Sequence, residues 1–178
     1  MKPAGVYGVM AEFGTADELL HAAHAAYAEG YRSMDAYSPF PVHGLSEAIG
    51  YHKTLVPLIV LLGGLAGAAG GYLLCYFMTA IAYVHNVGGR PIHSWPSYIP
   101  ITFETAVLMA SLSAVVGMIA MNGLPRPYHP VFNAPRFGLA SRNRFFLCIE
   151  AADPKFEQEA TMRFLETLDP YEVTVVDE

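Results

Sequence analysis

Hydrophobic and polar positions follow different rhythms in successive stretches of this chain. Gly5–Phe13 reads as a strand. Behind it, Leu19, Leu20, Ala23, Ala26 and Tyr27 recur at helical period. Thr15-Ala16-Asp17-Glu18 is a capping box for that helix: the Thr oxygen accepts an early amide and the Glu reaches back. Gly30 ends the helix, and Ser33–Tyr37 predicts a second strand stopped by Pro39 and Pro41. The rhythm then vanishes. Thr54 to Val84 contains no Asp, Glu, Lys or Arg, and Pro91 to Leu124 contains only Glu104. Beyond these runs the alternation returns. Arg144–Glu150 predicts a strand, Asp153 a helix cap with Pro154 at the first helical position, and Phe156, Ala160, Phe164 and Leu168 an apolar stripe at steps of four. Pro170 stops that helix before a last strand over Glu172–Val176.

The two charge-poor runs predict transmembrane helices over residues 54–84 and 98–123, joined by a loop at 85–97. A helix needs roughly 20 residues to cross a hydrocarbon core of about 30 Å. The first run exceeds that length and must tilt or extend past the bilayer. Gly63, Gly67 and Gly71 fall at four-residue spacing, a small-residue face on which another helix backbone can approach closely. Ala106, Ala110, Ser113, Ala114 and Gly117 give the second helix a similar surface, and Trp95 and Tyr98 stand before it where aromatic rings favour the membrane interface. Lys53, Arg126, Arg136 and Arg142 flank the outer ends of the pair, against Arg90 alone in the loop. That asymmetry predicts both termini in the cytoplasm and the loop in the periplasm. The opening Met1-Lys2-Pro3-Ala4-Gly5 has no apolar run after its basic residue and does not read as a signal peptide.

Neither flank, residues 1–53 nor 143–178, is large enough to close a core alone. Together they spell β-α-β-β-α-β, the order of a ferredoxin-like sandwich. The fold expectation is therefore an α+β membrane protein, with a two-helix transmembrane hairpin inserted into a split ferredoxin-like cytoplasmic domain. In that topology the second and third strands are neighbours, so a hairpin between them leaves and returns at adjacent points. Pro125, Pro127, Pro130 and Pro135 exclude regular helix or central strand from residues 124–142, which read as an irregular crossing along the membrane surface.

Composition narrows the function. Hydrophobic residues make up 53% and charged residues 15% of 178, and the formal charge of −6 argues against a nucleic-acid binder. Cys75 and Cys148 fall in different regions and read as reduced packing residues. No nucleophile–base pair, phosphate loop or cofactor fingerprint is present, so the chain does not read as an enzyme by itself. Glu104 lies about 9 Å into the second span from Tyr98. An intramembrane carboxylate faces a protein interior or a watered cavity, so Glu104 is either a contact to a partner helix or a proton-relay or quinol-site group. His21 and His24 share a helix face with Asp17 and read as solvated; His85 and His93 flank the loop and read as hydrogen-bonded side chains, not haem ligands. His43 and His129 belong to two proline-rich segments and would be near each other if those segments meet under the membrane; both read as structural hydrogen-bonding side chains. Pro39, Phe40, His43, Trp95, Tyr128 and His129 are the candidate partner contacts.

Four stretches carry a resemblance: Asp35-Ala36-Tyr37-Ser38-Pro39-Phe40-Pro41-Val42-His43-Gly44, Ser94-Trp95-Pro96-Ser97-Tyr98-Ile99-Pro100-Ile101-Thr102-Phe103-Glu104, Leu124-Pro125-Arg126-Pro127-Tyr128-His129-Pro130 and Asn143-Arg144-Phe145-Phe146-Leu147. With two spans between short soluble halves, the chain resembles the ActD family of alternative complex III, a bacterial quinol:electron-acceptor oxidoreductase. The resemblance implies an accessory subunit of the inner membrane without its own redox centre or bound cofactor. Its implied partners are large polytopic quinol-oxidising membrane subunits, multihaem cytochrome c subunits and an iron–sulfur subunit, which would carry the haem c and iron–sulfur clusters.

Overall fold

Thr15 accepts the Glu18 amide, and the Glu18 carboxylate takes the amides of Gly14 and Thr15, so the capping box is complete. These bonds, Gly14 first, hold the Glu18 carboxyl below its ordinary value. They start helix α1, Ala16–Glu29, which ends at Gly30 with φ 108°, a conformation that suits glycine. The computed structural model describes residues 5–51 and 54–178. Lys53 and residues 1–4, on which part of the orientation and the leader reading draw, lie outside them.

The chain divides into two compact units, residues 1–52 with 127–178 and residues 53–126. The first is a mixed α/β unit of strands β1 (Val6–Phe13), β2 (Met34–Tyr37), β3 (Phe145–Glu150) and β4 (Glu172–Asp177) with helices α1, α2 (Leu45–Ala48) and α5 (Gln158–Glu166). The sheet order is β2-β3-β1-β4 and every pairing is antiparallel. The central pair sets Val9 against Ile149, Ala11 against Leu147 and Phe13 against Phe145. These residues face the helices and are sealed with Leu19, Ala23, Ala26 and Leu165.

The other face of the sheet is covered too, by the proline-rich segment. Two 3₁₀ turns, Pro130–Asn133 and Phe137–Ser141, seat Val131, Ala134, Phe137 and Ala140 against Met10, Phe146, Cys148 and Val176. Burial on both faces explains why Phe145-Phe146-Leu147-Cys148-Ile149 is continuously apolar where a half-solvated strand would alternate. From residue 130 onward the proline-rich segment is therefore a wall of the core. Proline suits it because 3₁₀ turns leave amides unpaired at their starts.

Two local expectations need correction. Asp153 does not cap α5, which begins five residues later behind Glu157. Its carboxylate accepts the amides of Arg32, Ser33 and Lys155 at 2.6, 2.7 and 2.8 Å, tying the β3–α5 turn to the start of β2. Phe156, Phe164 and Leu168 pack against the core as the steps of four predict, but Ala160 is exposed, and Thr161 and Leu165 are the buried positions of α5.

The second unit is a helix pair. Helix α3 (Val56–Tyr76) continues as a π-helical turn, Phe77–Ala82; a 3₁₀ turn, Trp95–Tyr98, leads into α4 (Ile99–Met121). Val56–Ala82 and Trp95–Met121 have mean hydropathies of 2.0 and 1.8 and are each long and apolar enough to cross a membrane.

Candidate membrane and partner-contact surfaces

Glycine spacing on α3 meets small and polar residues on α4. A Cβ built at Gly63 would strike Ser113, at Gly67 the Thr105 carbonyl oxygen and Met109, and at Gly71 the Thr105 side chain. One at Gly64 would stand 3.5 Å from Ala110, and one at Gly117 of α4 would stand 3.0 Å from Ile59. The glycine face therefore packs within the hairpin. Gly67, Gly71 and Gly117 are buried in it, whereas Leu61, Leu65, Leu73, Val107, Leu112 and Val116 point outward. Glu104 is also exposed, on the side of α4 away from the seam residues Thr102, Thr105 and Ala106.

At the loop end of the hairpin, His93 gathers an aromatic cluster. The Tyr72 hydroxyl bonds His93 Nε2 at 2.8 Å, and the rings of Tyr76, Tyr98 and Tyr72 stand 5.2, 5.8 and 6.2 Å from the imidazole. Tyr98 is 2% exposed, and its hydroxyl meets Thr79 Oγ1. Trp95, at the start of the same 3₁₀ turn, is largely exposed. Tyr72 and Tyr76 were not legible as partners of His93, because an isolated aromatic in an apolar helix carries no mark of what it touches.

In the α/β unit the two proline-rich histidines do not share a face. Val42, beside His43, packs into the helix-side core, and Val131, two residues after His129, into the opposite one. His129 stands edge-on to Tyr7 at 5.4 Å, and its Nδ1 accepts the Val131 amide at 3.5 Å. His43 is exposed, Pro39 is half-buried, and Phe40 is exposed yet packs edge-on against Phe145 at 5.4 Å. Tyr128 is exposed, with its hydroxyl on Asn133 at 2.6 Å. His21 and His24 lie on α1, both exposed, and among the described residues no three His, Cys, Asp or Glu side chains gather as a metal set.

A charged cluster that nothing local in the sequence announces sits under the second cover. Glu12, on β1, is 3% exposed, and its carboxylate takes Arg136 Nη2 at 3.0 Å and Arg144 Nε at 3.2 Å. Arg136 Nε is 2.8 Å from the same carboxylate without the alignment of a hydrogen bond, so charge carries that contact. Both guanidinium groups also stack over the Tyr171 ring, at 4.8 and 4.4 Å. The bond to Glu12 raises Arg136 further above its ordinary value. Sequence distance hid this group: Glu12 and Arg136 are 124 positions apart. Elsewhere on the sheet, burial and then the bond to Glu150 raise the Tyr7 hydroxyl, burial and then Asp35 raise Tyr37, and burial pushes the Cys148 thiol up to about 12. All three stay protonated at neutral pH, and a buried thiol of that kind is inert.

Comparison with curated proteins finds no match. The family described as "Alternative complex III, ActD subunit" matches residues 7–175, nearly the whole chain. The chain belongs to the ActD family of alternative complex III subunits.

Proposed function

We propose that this chain is a non-catalytic accessory subunit that braces the quinol-oxidising membrane core of alternative complex III. The observation that carries the reading is the hairpin's outer surface. Its small residues are spent on the seam between its own helices, leaving leucines, valines and Glu104 facing outward. Apolar side chains there suit lipid, but a carboxylate facing lipid is costly and calls for a partner helix with a donor or cation. The large polytopic subunits of the complex are that partner. The haem c and iron–sulfur clusters belong to the multihaem cytochrome and iron–sulfur subunits, and this chain binds none.

The α/β unit is read as a split ferredoxin-like domain, supported by the β2-β3-β1-β4 order and by β2 and β3 lying side by side where the hairpin is inserted in sequence. Both termini lie in the cytoplasm, at the inner membrane. Arg136 is bound up with Glu12 and Glu172, so Lys53, Arg126 and Arg142 carry that orientation against Arg90.

Purification through a tag on this chain in mild detergent tests the reading. Haem absorbance and large polytopic subunits in constant ratio are expected; a colourless chain running alone overturns it and favours an independent membrane sensor. The exposure of Glu104 supports a second reading, in which it belongs to a proton path with the partner. Glu104→Gln then loses proton translocation with assembly and quinol oxidation retained, whereas a pure docking role loses assembly.

A further inference from the structure

A cleft of about 400 Å³ opens at the loop end of the hairpin. Arg90, Ser97 and Tyr98 form its polar end, and Leu74, Met78 and Ile101 its walls. Arg90 is the sole Asp, Glu, Lys or Arg between Thr54 and Phe103. Its Nη2 donates to Ser97 Oγ at 2.5 Å, and Ser97 Oγ donates onward to the Ser94 carbonyl at 2.7 Å. Among the described residues no carboxylate pairs with Arg90. The remaining N–H groups of its fork are the right donors for phosphate oxygens. Met78 lies on the π-helical turn, a widening of the backbone that recurs at functional sites. The walls are open to the surroundings, with Leu74 57% and Ile101 46% exposed.

We propose that this cleft binds an anionic phospholipid, with the phosphate on Arg90 and an acyl chain along Leu74, Met78 and Ile101. A lone cation at the end of an apolar helix pair, beside Trp95 and Tyr98, sits where headgroups lie. Free phosphate would use the guanidinium but has nothing to gain from three exposed apolar walls. The proposal rests on reading the two helices as membrane spans, and is independent of the accessory role.

The test uses membranes from cells carrying the tagged full chain. They are doped with phosphatidylglycerol bearing a diazirine on an acyl chain and irradiated, and label on the recovered chain is mapped. Peptides containing Leu74–Met78 and Ile101 are expected to carry label well above that on Leu58–Leu65 at the other end of α3. Arg90→Gln lowers the cleft label about tenfold, the order of one charge-assisted contact, and Arg90→Lys keeps most of it. Unchanged label on Leu58–Leu65 shows that the variant hairpin is still inserted. Equal cleft labelling by a phosphatidylcholine probe, or indifference to Arg90→Gln, overturns the proposal. Competition by millimolar inorganic phosphate reassigns the site to a free anion, and a dark cleft beside labelled outer faces means that a protein partner covers it; either result overturns the lipid. Absence of label from both helices instead sinks the reading of the helices as spans.

Discussion

In the α/β unit, Phe13, Leu147 and Ile149 are sealed between sheet and helices, whereas in the hairpin Leu61, Leu65 and Leu73 stand open. The same residue type is hidden in one region and displayed in the other. Water is the solvent that explains the first, because apolar surface removed from it gains about 25 cal/mol per Å². Hydrocarbon explains the second. Leucine gains nothing there by leaving lipid for protein, so the hairpin seam sets glycines against alanine, serine and threonine, with Met109 and Ile59 filling in, and its advantage is close approach. Polar groups follow the same division. Glu12 is buried with two arginines at hand, while Glu104 is outward with no such partner among the described residues of its own unit.

The largest effect that tests this contrast is expected at the seam. Gly67→Leu drives a side chain into the Thr105 carbonyl and Met109, forcing the helices apart at a cost of about 3 kcal/mol or more. Gly70, where a Cβ would meet nothing within 4 Å, tolerates leucine within the hairpin itself. Recovery of tagged full chain from membranes should fall severalfold for the first and hold for the second; equal losses would break the comparison. Next comes leucine truncation. Leu147→Ala in the sealed core should cost about 2–5 kcal/mol by denaturant titration of the full chain in mild detergent. Leu108→Ala, 57% exposed on α4, should stay within about 0.5 kcal/mol in the same assay. A Leu108→Ala cost matching that of Leu147→Ala would mean that the hairpin exterior is already covered by its own chain.

The smallest effect sharpens the comparison through pH. Burial works to raise Asp153, but the amides of Ser33, Arg32 and Lys155 outweigh it and hold the carboxyl below its ordinary value. A folded-state value below the unfolded one stabilises fully above about pH 3.9, and that stabilisation is lost as pH falls through the folded value. Asp153→Asn should therefore cost about 1–2 kcal/mol near pH 7, with the gap to the parent chain closing under acid. A gap that does not move between about pH 7 and about pH 3 would remove the carboxylate from the account.

Several features were legible because their causes are local. The capping box at Thr15 and Glu18 needs only four successive residues, Gly30 needs only its own backbone freedom, and two long apolar runs need only their length and composition. Gly63, Gly67 and Gly71 recur at four-residue spacing on α3, and α4 lies against all three. Other features depend on what lies across the fold. The unbroken apolar run at Phe145–Ile149 is the mark of a sheet covered on both faces, but nothing local marked residues 130–141 as the second cover. Asp153 preceded by a strand and followed by Pro154 has the form of a helix cap, and the competing amides of Arg32 and Ser33 come from 121 and 120 positions away.

What the sequence by itself determined is the placing of two long apolar runs between mixed flanks, the order of the four strands and main helices, and the family. Those follow from hydropathy, capping and local motifs, which act over one or two turns of chain. Only the tertiary structure decided that the proline-rich segment walls a core, that Glu12 closes on Arg136 and Arg144, that His43 and His129 lie with opposite faces, and that Arg90 looks into an apolar cleft. Each of those depends on which distant side chain arrives at the same place, and burial energy rewards apolar partners without naming them.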